Sequence, residues 1–165
     1  LELTAQKYEK TIVWPLYPRT RDRIKRFNLS IPKGVKLLEP LGFLEFLHLE
    51  MNALTLISDS GTVQEEGCIL GVPCIVIRIS TERPETVVLG SSIIAGLEPA
   101  NVVRSIETFM TENRKWDHPY GDGHTADRVA DVMKNYEQRP IMEEVLKFEA
   151  SEEMARVCFS PYALQ

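Results

Sequence analysis

The run "CIVIRI", residues 74 to 79, narrows the fold more than any other stretch. A strand with one wet face alternates polar and apolar side chains. A continuous apolar run instead suits a strand covered on both faces, as in a parallel sheet between helices. Neighbouring segments agree. "TIVWPL", ended by Pro15 and Pro18 around Tyr17, "VKLLEPL" and "LTLIS" read as three earlier strands, and "SSIIAG" as a fifth. Between them lie helical patterns: the basic "RTRDRIKRF", and "GFLEFLHLEMNA" with Phe43, Phe46, Leu47 and Leu54 toward the core. A third, "VQEEGCIL", is closed by Gly71 with Pro73 beyond. Further helices are expected at about residues 99 to 112 and 124 to 137. This alternation predicts an α/β fold, a doubly wound parallel sheet with right-handed crossovers.

A length of 165 residues and 44% hydrophobic content suit one domain with one core. No internal boundary or repeat interrupts it, and residues 139–165 read as a more polar tail running over the surface as helix. At the other end "LELTAQKYEK" has helical spacing, with Leu1, Ala5 and Tyr8 on one face, but no start signal precedes it. The chain therefore reads as a segment of a longer protein. Its net charge of −5 disfavours nucleic acid, which needs a basic surface. The one basic run, "RTRDRIKR", is interrupted by Asp22 and Ile24 and reads as a solvated helix face. No apolar run approaches the roughly 20 residues of a membrane span. Cys68, Cys74 and Cys158 lack metal-ligand spacing, as do His48, His118 and His124. The cysteines read as small core side chains in a reducing cytosol, so a cytoplasmic, metal-free protein is expected.

"DSGTVQEE", residues 59 to 66, is where the chain leaves the strand "LTLIS" for a helix. In open parallel sheets, ligands sit outside the carboxyl ends of strands, often at a helix N-terminus. Ser60, Gly61 and Thr62 offer backbone N–H groups, hydroxyls and a close approach to the main chain, which suits a phosphate or diphosphate. Ordinary capping explains the same residues, since Thr62 and Glu65 have capping-box spacing, and on this stretch alone it is the commoner outcome. Of the two acids, one can serve the cap while Glu66 is free to accept hydrogen bonds, as carboxylates do from ribose hydroxyls. The next strand-end loop, "STERPET", adds Arg83, a fork-shaped donor for phosphate, with Pro84 stiffening its turn. Two adjacent loops suited to phosphate weigh more than either alone.

"DSGTVQEEGCILGVP", "RISTERPETVVLGS" and "PYGDGHTADRV" together resemble the carboxyl-terminal domain of the non-hydrolysing UDP-N-acetylglucosamine 2-epimerases. The resemblance runs from about Val13 to Tyr136. It implies a single Rossmann-like domain over residues 1–165, one half of the two-domain glycosyltransferase-B architecture, with the amino-terminal catalytic domain absent. The implied activity interconverts UDP-N-acetylglucosamine and UDP-N-acetylmannosamine by elimination of UDP and re-addition on the other face, with no cofactor. A UDP-sugar substrate, the missing domain and a homodimeric whole protein are the implied partners.

Position by position, the resemblance implies that Ser60, Gly61 and Thr62 hold the diphosphate, with Thr62 standing where many relatives have glycine. Glu66 would bind the ribose hydroxyls, Phe46 in "PLGFLEF" the uracil, and Arg83 the phosphates or sugar. Tyr17 departs from the family's "P-x-H-P" segment, where His is usual. No catalytic residue falls within this segment, because the family's acid and base carboxylates belong to the other domain. A glycosyltransferase of the same architecture, or a non-catalytic nucleotide-binding fragment, are the alternatives.

Overall fold

The computed structural model describes residues 1–112 and 115–135, so the expected tail and Cys158 lie outside the described residues. In chain order the elements are α1 (Glu2–Tyr8), β1 (Ile12–Pro15), α2 (Pro18–Arg26), β2 (Val35–Leu38), α3 (Phe43–Met51) and β3 (Leu56–Ser58). There follow α4 (Gly61–Leu70), β4 (Cys74–Val76), α5 (Pro84–Val88), β5 (Ser92–Ile94), α6 (Pro99–Thr111) and α7 (Thr125–Lys134). Every strand pairing is parallel. The five-residue α5 lies in a segment that reads as loop, and Pro84 at its first turn suits a helix start.

β4 is the centre of the molecule, paired with β3 on one side and β5 on the other. Its three residues are fully buried, and the two-residue pleat sends them to opposite layers. Cys74 and Val76 join Ile94 in one cluster, against Leu56, Val63 and Val87. Ile75 joins Ala95 and Ile106 in the other, against Tyr8, Ile57, Val102 and Phe109. One cluster thus draws on α4 and α5 and the other on α1 and α6, the double cover that the apolar run requires. The α1 contribution is pinned by the Tyr8 hydroxyl donating to the Val103 carbonyl at 3.3 Å and by a Lys7–Glu107 ion pair.

The strands form two ladders, β1–β2 and β3–β4–β5, where the sequence predicts one sheet. Pro15 supplies a physical reason. Ile12 and Leu16 donate their N–H groups toward β2, at 2.9 Å each, so Val13 and Pro15 face the other edge. Proline has no N–H, and that edge of β1 keeps one donor fewer for pairing with any further strand. A second departure concerns α3. Phe46 and Leu47 are half-buried as expected, but Phe43 is 67% exposed and Leu54, beyond the helix, 48%. The buried member of the α3 face is Glu50.

α4 is the element that places the candidate site. It starts at Gly61 after Ser60 and ends in the left-handed Gly71, whose φ is 73°. The Gly71 and Val72 N–H groups return to the Cys68 and Gly67 carbonyls, the paired bonds of a Schellman stop. Gly67 lets α4 settle on β3: a Cβ there would stand 2.9 Å from Leu56 Cδ1 and 2.9 Å from the Val72 carbonyl oxygen. Among the described residues no helix is long and apolar enough to cross a membrane.

Candidate functional site

α4 presents its N-terminus at the carboxyl end of β3, as the sequence predicts. Ser60 is the N-cap residue in extended conformation, and no side chain caps the helix. Helix geometry leaves the N–H groups of Gly61, Thr62 and Val63 without intrahelical acceptors, next to the positive end of the dipole. The Ser60 N–H is engaged locally by Ser58 Oγ at 3.1 Å. The capping box expected between Thr62 and Glu65 is not formed. The helix starts two residues before it would require, and the Glu65 carboxylate is taken by Arg83.

Arg83 comes from the loop after β4 and reaches back across this helix start. Its Nε donates to Glu65 Oε1, and its Nη1 to the Glu82 carbonyl at 3.1 Å. Its Cζ and Nη2 stand 3.6 and 3.7 Å from where a Gly61 Cβ would be. The guanidinium therefore lies against Gly61, whose lack of a side chain leaves the helix start open. The hydrogen bond it donates to Glu65 raises the Arg83 pKa above its ordinary value, so the cation is secure at any physiological pH. An anion in this corner would meet helix amides on one side and a fixed guanidinium on the other.

Glu66 follows one position along α4, half-buried, its pKa raised by desolvation and then by the neighbouring Glu65 charge. Phe46 stands one turn into α3, which packs on α4, and is half-buried. Ser60, Gly61, Thr62, Glu66 and Arg83 thus gather around the first turns of α4, with Phe46 on the adjoining helix. Tyr17 is exposed at the start of α2. Among the described residues no group of His, Cys, Asp and Glu could hold a metal ion.

Sequence reasoning missed what surrounds Arg83. Gln64, 1% exposed, bonds to Thr81, Thr86 and the Arg83 carbonyl. Its spacing from Gly67 and Cys68, three and four residues, marks it as core-facing, a signal the sequence carries. The "PYGDG" loop is also tied in: Tyr120 donates to Glu85 Oε1 at 3.1 Å, and Trp116 Nε1 to the Cys68 carbonyl at 2.8 Å. Burial, then the Glu85 charge, pushes the Tyr120 hydroxyl well above its ordinary pKa. These contacts join residues 35 and 48 apart, which no local pattern announces.

A parallel α/β sheet whose helix start, at a strand's carboxyl end, is overlaid by an arginine from the next loop defines the class: a Rossmann-like domain with the place where such sheets receive anionic ligands. The chain belongs to the UDP-N-acetylglucosamine 2-epimerase family, which matches residues 1–134. It is 43% identical over 133 residues to the UDP-N-acetylglucosamine 2-epimerase of Methanococcus maripaludis, covering 78% of this chain and 36% of that protein. The enzyme of the same name from Methanocaldococcus jannaschii is also 43% identical, over 130 residues, covering 76% of this chain and 36% of the relative. A crystal structure of the Methanocaldococcus jannaschii UDP-GlcNAc 2-epimerase in complex with UDP-GlcNAc and UDP superposes with a TM-score of 0.75 at 41% identity. That match covers 80% of this chain and 38% of the other. The chain spans little more than a third of the length of these relatives, and its Rossmann-like fold is one half of a glycosyltransferase-B type architecture.

Proposed function

We propose that this chain is the nucleotide-gripping domain of a UDP-N-acetylglucosamine 2-epimerase, spanning residues 1–165 with the remainder of the catalytic cleft supplied by another domain. The carrying observation is the Arg83 guanidinium against Gly61 at the uncapped start of α4. Ser60, Gly61 and Thr62 hold the diphosphate through the main chain, Arg83 neutralises it, Glu66 accepts from the ribose hydroxyls and Phe46 lies against the uracil. The whole protein acts on UDP-N-acetylglucosamine, in the cytoplasm and as a homodimer, by eliminating UDP and adding it back on the opposite face. The identity to curated epimerases supports this over a glycosyltransferase of the same architecture.

Titrating UDP while following backbone amide NMR signals tests the site. The Gly61 to Val63 amides are expected to shift first. Glu66→Gln is expected to weaken UDP while leaving pyrophosphate unchanged, since charge-assisted hydrogen bonds are worth roughly 1.5–3 kcal/mol. Stationary α4 amides at millimolar UDP, with shifts elsewhere, would refute the assignment. Equal losses for both ligands would return Glu66 to a role in the helix alone.

A further inference from the structure

Arg83 is held at both ends of its backbone by hydroxyls that share one organiser. Its N–H donates to Thr81 Oγ1 at 3.1 Å, and its carbonyl accepts from Thr86 Oγ1 at 2.8 Å. Thr81 in turn donates to Gln64 Oε1 at 2.7 Å, and Gln64 Nε2 donates to Thr86 Oγ1 and to the Arg83 carbonyl at 3.3 Å. Each hydroxyl has one proton, and the pattern uses both: Thr81 gives its own to Gln64, Thr86 gives its own to Arg83. The amide orientation is forced. Turned over, Gln64 would set its oxygen against the Arg83 carbonyl oxygen and leave that carbonyl short of a donor. Gln64, Thr81 and Thr86 are all buried, so no water competes for these bonds.

We infer that Gln64 is a positioning residue for the diphosphate site: from within α4 it fixes the Arg83 loop, and so the guanidinium, over the start of the same helix. This rests on the reading of α4 and Arg83 as the UDP diphosphate grip. One buried amide thereby ties the two halves of the grip, helix amides and arginine, into one rigid unit. A glutamate of the same shape cannot replace it. It lacks the two donors, and the Thr86 proton would turn to the carboxylate and release the Arg83 carbonyl.

The test uses this chain with UDP, pyrophosphate and uridine as probes, in wild type, Gln64→Met, Thr86→Val, Arg83→Ala and the Gln64→Met/Arg83→Ala pair. Thr86→Val is nearly isosteric and stands in if Gln64→Met does not fold. Both positioning variants are expected to lose about tenfold in UDP and pyrophosphate affinity with uridine unchanged, and the double variant to bind no worse than Arg83→Ala, since coupled residues are not additive. The Arg83 Nε–H NMR signal is expected to lose its protection in Gln64→Met, without any ligand. If Arg83→Ala weakens UDP while Gln64→Met and Thr86→Val bind like wild type, this inference alone falls. Additive losses in the double variant overturn it as well. If wild type binds neither UDP nor pyrophosphate, the diphosphate reading falls and takes this with it.

Discussion

Glu50 carries a carboxyl group that is 2% exposed, and neither oxygen has a hydrogen-bond partner among the described residues. Burial, then the Glu66 charge across the α3–α4 contact, raises its pKa from 4.5 to about 7. Cys74 beside it is also pushed up, to about 12, by its burial and then by Glu50. An acid whose folded pKa lies above its unfolded one binds protons more tightly in the native state. Stability is therefore full below about pH 4.5 and falls as pH rises toward 7, by roughly 3 kcal/mol for such a shift. Glu50→Gln removes the titration. It is expected to be more stable than wild type at pH 8 by about 2–3 kcal/mol and about equal at pH 4, measured by urea unfolding. A difference that does not change with pH would mean that Glu50 is not charged at a cost in the native protein. The sequence concealed this residue because the α3 pattern can be rotated. Phe43 and Leu54 suggest one face, whereas the packed face is that of Phe46, Leu47 and Glu50, and an acid in a largely apolar helix ordinarily marks the wet side, as exposed Glu45 does.

Among elements, α4 bears two glycines with different duties. At Gly67 a Cβ would collide with the Val72 carbonyl, which cannot retreat without disturbing the bond from the Val72 N–H to Gly67. Gly67→Ala is expected to destabilise by roughly 1–3 kcal/mol, the usual cost of overpacking, read as a lower urea midpoint. At Gly61 the nearest atoms to a Cβ are those of Arg83 at 3.6 Å and beyond, an ordinary contact. Gly61→Ala is expected to keep or gain stability, by at most about 1 kcal/mol, and to lose UDP by more than tenfold, because its methyl occupies the ground a phosphate must cross. UDP affinity unchanged in Gly61→Ala would remove the α4 start from the site. The stop of α4 was legible, since Gly71 punctuates it chemically, whereas the start lies two residues before the expected Val63, with Ser60 and not Thr62 at the N-cap. Short α5 was not legible, because five residues that begin with a proline carry too little periodicity to tell a helix turn from a stiff loop. The division into two ladders was hidden too: Pro15 marks a strand end in sequence, but which edge of β1 lacks its N–H depends on the register with β2.

At the scale of the molecule, the layering was legible in the first half of "CIVIRI": Cys74, Ile75 and Val76 are buried on both faces of the sheet, whereas Ile77 and Arg78 are half-buried and Ile79, beyond the strand, is 61% exposed. What the sequence could not give is how its charged residues near α4 are spent. Glu65 is paired with Arg83, Glu82 makes a two-pronged pair with Arg78 at 2.7 and 2.8 Å, and Glu85 accepts from Tyr120. The Arg78 hydrogen bonds hold the Glu82 pKa below the usual range, the behaviour of a committed anion and not of a proton carrier. Glu66, on the proposed reading, serves the ribose. Epimerisation at C2 requires a base on one face of the sugar and an acid on the other, and each such group contributes about 10²–10⁴-fold. Glu65, Glu82 and Glu85 are already committed to Arg83, Arg78 and Tyr120, so on the proposed reading the groups that move the C2 proton come from the remaining length that the relatives possess. This chain, incubated alone with UDP-N-acetylglucosamine in deuterated water, is accordingly expected to bind the nucleotide and leave C2 unlabelled by NMR. Deuterium entering C2 at a rate that Glu65→Gln, Glu66→Gln or Glu85→Gln abolishes would show a proton carrier within residues 1–165, and would move the chemistry onto the domain proposed to hold only the nucleotide.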